Sequence, residues 1–420
     1  LRATKSVLQP FYDERVSSLL YECLTLTYNA LHYAEENGIE NRKGMRGFYG
    51  TLKGAKLPSC YKVAAITRAC AVLKSRRKSQ RRGVSTEHPK PLRPAICIIS
   101  GFFITAKGRL FIPLERDRYV DVQLNRHVQE KLARMELRSL TVTQDAISFC
   151  FSDDVKPLPS RSIYGIDRNE KNLTFGNRKK VVQIDLSRTV SIRQRTREIL
   201  SSFKRNDARV RRKLSHKYWR RAGNRTNQIL HAATNLVVDY AVENGATLAL
   251  EDLKGIRKMY RKGSGQGSDY RFRMNSWPYS KAYHMLEYKS LWRGITVIPL
   301  TKADTHGSSS VHSACGKRLH GPLMGDAVHR RMQWCQSCKV WVDRDANAVV
   351  VLSDRGLARF ASSLPRPEGR PQQALKVGEE GLAGEAMKGN GPQTLILRVD
   401  ASKLLGGSLA RNGAGHGPES

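Results

Sequence analysis

Apolar positions along this chain change period several times, and each change marks an element. Residues 1–10 read as a short strand. From Asp13 to Asn37 the apolar positions Val16, Leu20, Cys23, Leu24 and Leu31 fall close to a helical period. Asn37-Gly38 supplies a stop. A second helix is expected from about Tyr61 to Arg82, ending in the basic run KSRRKSQRRG. Between residues 95 and 151 the segments AICIISGFFI, RLFIPL, YVDVQL and SLTVTQDAISFCF are short, β-branched and aromatic. Ile147, Phe149 and Phe151 alternate along the last of them. They predict a small antiparallel sheet or barrel. KPLPSRS (Lys156–Ser162) then reads as a linker.

Beyond the linker, strands alternate with long helices. SIYGID, NLTFGN and KVVQIDL read as three consecutive strands, and residues 187–243 as mostly helical and very basic. ATLALEDL reads as a buried strand, residues 277–293 as a helix, GITVIPL as a strand, and ANAVVVLSDRGLARF as a closing helix. From about Ser363 the chain is rich in Gly, Pro, Gln and charge, the composition of a disordered tail, with LILRVDASKLL as an apolar island that could dock. No run of about 18 apolar residues exists to span a membrane, and no secretory signal is visible.

Charge changes this picture most. The 420 residues carry 73 Lys+Arg against 37 Asp+Glu, a formal net charge of +36. Such an excess opposes folding through self-repulsion, so a polyanionic partner is expected, nucleic acid before an acidic membrane surface. Two clusters are candidate phosphate contacts: Arg76, Arg77, Lys78, Arg81 and Arg82, and Lys204, Arg205, Arg209, Arg211, Arg212, Lys213, Arg220 and Arg221. Tyr218, Trp219, Trp277, Tyr279 and Trp292 are candidates for base stacking, although aromatics at helical spacing are mostly core.

Against that background, carboxylates at strand ends stand out. Asp167 ends the first strand after the linker, Glu251 ends the strand LALE, and Asp345 opens the last helix in DRDANA. Taken singly, a strand-end acid is more commonly a cap or a solvated side chain. Three in this order have the layout of RNase H-like nucleases. Three converging carboxylates repel unless divalent metal neutralises them, and Mg²⁺ takes hard oxygen ligands. Two such ions activate water and stabilise the leaving oxygen of a phosphodiester. Asp343, two residues before Asp345, faces elsewhere on a helix and suits a cap.

Of the eight cysteines, Cys23, Cys60, Cys70, Cys97 and Cys150 lie singly and read as reduced core residues. Cys335 and Cys338 form C-x-x-C, and His312 with Cys315 forms H-x-x-C across a 19-residue spacer. These four make a candidate Cys₃His zinc site. His306, His320 and His329 are alternatives to His312.

The segments YGIDRNEKNLTFGN, LALEDLKGIRK and YRKGSGQGSDYRFRMNSWPYSKAYHMLEYK, with the cysteine knuckles running into DRDANA, resemble the TnpB (OrfB) proteins of insertion sequences. These are RuvC-like RNA-guided DNA nucleases related to the miniature type V CRISPR effectors. The likeness covers about residues 160–352 strongly and the N-terminal third by order of elements. It implies Asp167, Glu251 and Asp345 as Mg²⁺-binding catalytic residues and a structural zinc insertion at 308–341. It also implies a wedge-type β-barrel (1–10 and 91–157) interrupted by a helical recognition domain (11–90). A RuvC-like domain (158–307 and 342–362) and a disordered tail (363–420) complete the expected architecture, a multi-domain mix of α+β and α/β. The implied partners are a guide RNA from the same element, target double-stranded DNA and a companion transposase, in the cytoplasm and on the nucleoid. A small type V CRISPR effector shares this chemistry. A non-cleaving RNA-guided binder predicts loss of a carboxylate, and all three are present. The chain departs from the family at His312, where Cys is usual, and at VVVLS after DRDANA.

Overall fold

The computed structural model describes residues 1–203, 208–253, 255–321, 331–363, 395–401 and 404. It divides into two compact units, Arg2–Asp154 and Val155 onward with Leu1.

In the first unit, β1 (Arg2–Pro10) leads into α1 (Glu14–Glu36). Asp13 caps α1 by accepting hydrogen bonds from the Arg15 and Val16 amides at 2.9 and 3.3 Å. The short α2 (Arg46–Thr51) precedes α3 (Ser59–Gln80). Strands β2 (Ala95–Ile98), β3 (Phe103–Ile104), β4 (Arg109–Glu115) and β5 (Arg118–Gln123) follow. The unit closes with α4 (Arg126–Leu132), β6 (Glu136–Thr143) and β7 (Ala146–Asp154). The expected alternation holds: Ile147, Phe149 and Phe151 are all buried, packed with Leu19, Leu20 and Cys23 of α1.

The expected barrel is corrected. The described strands form two open antiparallel sheets, β1-β7-β6-β2 and β3-β4-β5. Gly101, at φ +87°, lies in the bend between β2 and β3. A positive φ is easy only for glycine, and the turn takes β3 off the first sheet's ladder. Cys97 is exposed rather than core, because it takes the outward position of β2 between buried Ile96 and Ile98.

In the second unit, β8 (Ser162–Arg168), β9 (Asn172–Gly176) and β10 (Lys180–Asp185) form an antiparallel meander. Helices α5 (Ser187–Ser201) and α6 (Ala208–Glu243) return the chain to β11 (Ala246–Glu251), which pairs parallel to β8. Helices α7 (Ser268–Ser276) and α8 (Tyr279–Trp292) lead to β12 (Val297–Leu300), parallel to β11, and α9 (Lys302–Thr305). A small antiparallel sheet, β13 (Leu319–His320), β14 (Met332–Cys335) and β15 (Val340–Asp343), precedes α10 (Arg344–Ser363).

The tail is also corrected in part. LILRVD forms β16 (Leu395–Asp400), which pairs parallel to β10 and completes the sheet order β12-β11-β8-β9-β10-β16. The edge of β10 offers unpaired backbone groups, and pairing satisfies them. The island therefore docks, as its apolar character suggested. The rest of the tail lies outside the described residues, apart from Ala401 and Leu404.

The large sheet is buried on both faces. Tyr164, Ile166, Leu248 and Leu250 pack with α6 and α8, including Ile229, Leu230, Val237, Val238 and Leu286. Ile163 and Ala249, at alternate positions, pack with Leu352 of α10 on the other face. Each fully buried Val, Leu or Ile contributes about 1.5–3 kcal/mol. Gly165 lets α10 lie against β8: a Cβ there would sit 2.2 Å from the Val349 carbonyl oxygen. The Ser353 hydroxyl adds a hydrogen bond to the Ile163 carbonyl at 2.8 Å.

Candidate functional site

The strand period explains why three acids meet. On β8, Ile163 and Gly165 face α10, so Asp167 faces the same way. On β11, Ala249 faces α10, and so does Glu251. The parallel register pairs Leu250 with Ile166, which sets Glu251 beside Asp167 at the strand ends. Asp345 lies in the first turn of α10 and is only 2% exposed. Sequence order alone could not supply this convergence; it follows from the parallel pairing and the helix docked above it.

Neighbouring groups hold each carboxylate. The Asn169 side chain donates to Asp167 at 2.7 Å, and the Asn172 side chain donates to Asp345 at 2.8 Å. Arg331 also pairs with Asp345. The Arg168 amide donates to Glu251 at 3.4 Å, while its buried guanidinium donates to the Glu251 and Tyr279 carbonyls. Burial, then the charges of Glu251 and Asp345, push Asp167 up to about 8. Burial also raises Glu251, against the opposing charge of Arg168. Asp343 accepts from the Asp345 and Ala346 amides at 3.0 and 2.9 Å and so caps α10, the role its spacing predicted. Sequence reasoning missed Arg168, Asn169, Asn172 and Arg331. The polar run RNEKN between two apolar strands is the signal that could have found the first three. The donor set is hard oxygen, and the charges of Glu251 and Asp345 raise Asp167, so it fits a divalent cation such as Mg²⁺.

His312, Cys315, Cys335 and Cys338 form a second cluster, with ligand atoms all within 4.8 Å of one another. Its two halves share one turn geometry. The Gly316 amide donates to the His312 carbonyl and the Lys339 amide to the Cys335 carbonyl, both at 2.8 Å. Gly316 and Lys339 both have positive φ, +68° and +54°. His312 thus stands in one knuckle where Cys335 stands in the other. Burial and then Arg178 lower its pKa, which favours the neutral, ligating imidazole. Burial opposes a low pKa at Cys315, but the Lys317 amide and the Cys338 and Cys335 thiols outweigh it. The set fits zinc. His320 is exposed on β13 and His306 stands outside the cluster, while His329 lies outside the described residues. Asn347 of α10 ties this knuckle to the carboxylate helix. Its side chain accepts from the Ser313 amide at 2.8 Å and donates to the Val311 carbonyl at 2.7 Å.

The basic candidates divide. Arg76 pairs with Glu35, and Arg77 with Glu40 at 2.9 Å, so both are engaged within their own unit. Lys78, Arg81 and Arg82 are exposed. Arg209, Arg211, Arg212, Lys213, Arg220 and Arg221 are exposed along α6, while Lys204 and Arg205 lie outside the described residues. Trp277 and Tyr279 are buried. Among the described residues no helix is long and apolar enough to cross a membrane.

Fold and clusters together define a mixed α/β protein with a carboxylate triad and a Cys₃His metal-ligand set. Residues 279–352 match the family described as Cas12f1-like, TNB domain. The chain is 27% identical over 227 residues to the TnpB-like protein MJ0751 of Methanocaldococcus jannaschii, spanning 52% of this chain and 77% of that one. Among solved structures, it is similar to a Cas12f1–sgRNA–target DNA complex at 15% identity and TM-score 0.49, covering 81% and 80% of the two chains. It is also similar to the mini-RNA-guided endonuclease CRISPR-Cas_phi3 at 12% identity and TM-score 0.33, covering 63% and 58%. The chain is therefore similar to a TnpB-like protein, the resemblance its motifs indicated.

Proposed function

We propose that the chain is a transposon-associated, RNA-guided DNA endonuclease whose Asp167, Glu251 and Asp345 hold Mg²⁺ and cut phosphodiesters. The observation that carries this reading is the convergence of three carboxylates, Glu251 and Asp345 buried and Asp167 half-buried, with Asp167 raised to about 8, in a chain of net charge +36. The meander β8-β9-β10 flanked by parallel β11 and β12 is the sheet expected of an RNase H-like nuclease. Mg²⁺, when bound, supplies a polarised water and charge stabilisation at the leaving oxygen. The protein's own residues prepare that chemistry. Asn169, Asn172 and Arg168 fix the carboxylate orientations. Asp167 gives up its proton when a cation enters, so cation binding strengthens with pH toward about 8.

In this reading the four ligands of the Cys₃His set hold one structural zinc, and Asn347 passes its rigidity to α10. The exposed basic residues of α3 and α6 lie along guide RNA and target double-stranded DNA, with sequence read by base pairing. The first unit serves as wedge and recognition domain, and a companion transposase acts on the same element. A small type V CRISPR effector would use the same residues, and the genetic locus separates the two.

The test is cleavage of a matched duplex by the purified chain with its co-purified RNA and Mg²⁺. Asp167→Ala is expected to abolish cutting and leave RNA retention near wild type. A wild-type complex that leaves matched DNA intact across salt and divalent-cation conditions refutes the reading.

A further inference from the structure

Helices α5 and α6 enclose a groove of about 580 Å³. Arg188 and Arg195 stand two turns apart on α5, and Arg221 and Arg225 one turn apart on α6; all four line the groove and are exposed. Among the described residues no carboxylate lines it. Arg195 pairs with Glu198 at 3.3 Å, but both side chains stay mostly exposed. Like charges one turn apart, as on α6, destabilise a helix, and here the arginines of α5 face them across the groove. Beneath this rim the floor is apolar and compact: Ile192, Thr196 and Ala222 are buried. Tyr218, partly exposed, stands at one side.

We propose that this groove binds a single-stranded stretch of nucleic acid, with phosphates on the arginine rim and a base laid against Tyr218 and the apolar floor. The proposal rests on the nuclease reading and assigns one strand-binding site within it. Charge complementarity selects a polyanion. The apolar floor selects a strand whose base faces are open, since a duplex hides them in the stack. Arginine suits the rim because its planar fork matches phosphate. RNA and DNA share this chemistry, and the experiment separates them.

The full-length chain, washed free of nucleic acid at high salt, is titrated with labelled oligo(rU), oligo(dT) and a duplex while anisotropy is followed across salt. Each phosphate contact on a single strand contributes about 0.7 to the slope of log K against log salt. Arg188→Gln with Arg225→Gln is expected to lower that slope by about 1.4, and the Lys pair at the same positions to restore it. Tyr218→Ala is expected to weaken single-strand binding roughly 5- to 100-fold, and Tyr218→Phe to preserve it. A larger loss with oligo(rU) places the guide in the groove; a larger loss with oligo(dT) places a target strand there. An unchanged slope in the double variant overturns the proposal, as does a Tyr218→Ala variant that binds like wild type. Equal losses for duplex and single strand overturn it as well. Cleavage is not read, so a failed groove leaves the nuclease reading standing, and an uncut target leaves these slopes interpretable.

Discussion

Replacing Asp167 by Asn removes a titrating group while keeping its shape and its place beside Asn169. In the wild-type fold without divalent cation, Asp167 is raised from 3.8 to about 8, chiefly by burial and then by Glu251 and Asp345. The folded form therefore holds a proton that the unfolded chain has lost. Stability that is full below about pH 4 is lost as pH rises through about 8. At about 1.4 kcal/mol per unit the shift has a ceiling of about 5–6 kcal/mol. Asp167 is only part-buried, and solvent reaching it reduces the expected effect to about 2–3 kcal/mol. Asp167→Asn should thus match wild type near pH 4 and become progressively more stable toward pH 8. The assay is urea unfolding of both proteins in metal-free buffer without chelator, so that any metal held by the His312, Cys315, Cys335 and Cys338 cluster is spared. Subtracting the two curves cancels every other titrating group. Added Mg²⁺ should close the gap by stabilising wild type alone. A difference that stays flat with pH, or one in which wild type gains as pH rises, refutes the electrostatic account of the triad.

The purified chain should carry about one zinc by metal analysis. His312→Ala and Cys335→Ser should lose it and His312→Cys should keep it; full zinc in His312→Ala sinks the Cys₃His assignment. Gly165→Ala should destabilise by about 3 kcal/mol in urea unfolding, because the new Cβ would meet the Val349 carbonyl at 2.2 Å and the Ser353 nitrogen at 2.6 Å. A cost below that of an ordinary surface substitution would refute the close approach. Asp343→Ala should cost about 1–2 kcal/mol through loss of the α10 cap, and Asp343→Asn much less.

Periodicity made the second unit largely legible. The strands SIYGID, NLTFGN and ATLALE and the helix over ANAVVVLSDRGLARF stand where the apolar pattern put them. The acids were legible as strand-end exceptions in a basic chain. Their partners were not, because Arg168, Asn169 and Asn172 matter only once β8 and β9 pair and α10 docks above them. Arg331 was hidden for a different reason: sequence alone does not show that it reaches Asp345. In the first unit, alternation predicted strands but not which strands pair, so it did not separate two open sheets from one closed barrel. β16 was partly hidden because six mostly apolar residues stand in a Gly- and charge-rich context. Its pairing depends on an edge formed more than 200 residues earlier, the span between Asp185 and Leu395.

That distant strand has a consequence for the order of manufacture. Arg398 of β16 donates to Gln183 at 3.2 Å and approaches Asp343 at 3.8 Å, so the sheet's last-made strand touches the cap of the helix that carries Asp345. A nascent chain still on the ribosome can pair five strands while its sixth is unmade. The helix that carries Asp345 is thus braced only after translation has passed residue 400. A messenger broken upstream of Leu395, or a chain clipped there, would yield the basic surface without this brace. Comparing cleavage by a chain stopped before Leu395 with that of the whole chain reads out the dependence; equal rates would show the brace to be dispensable.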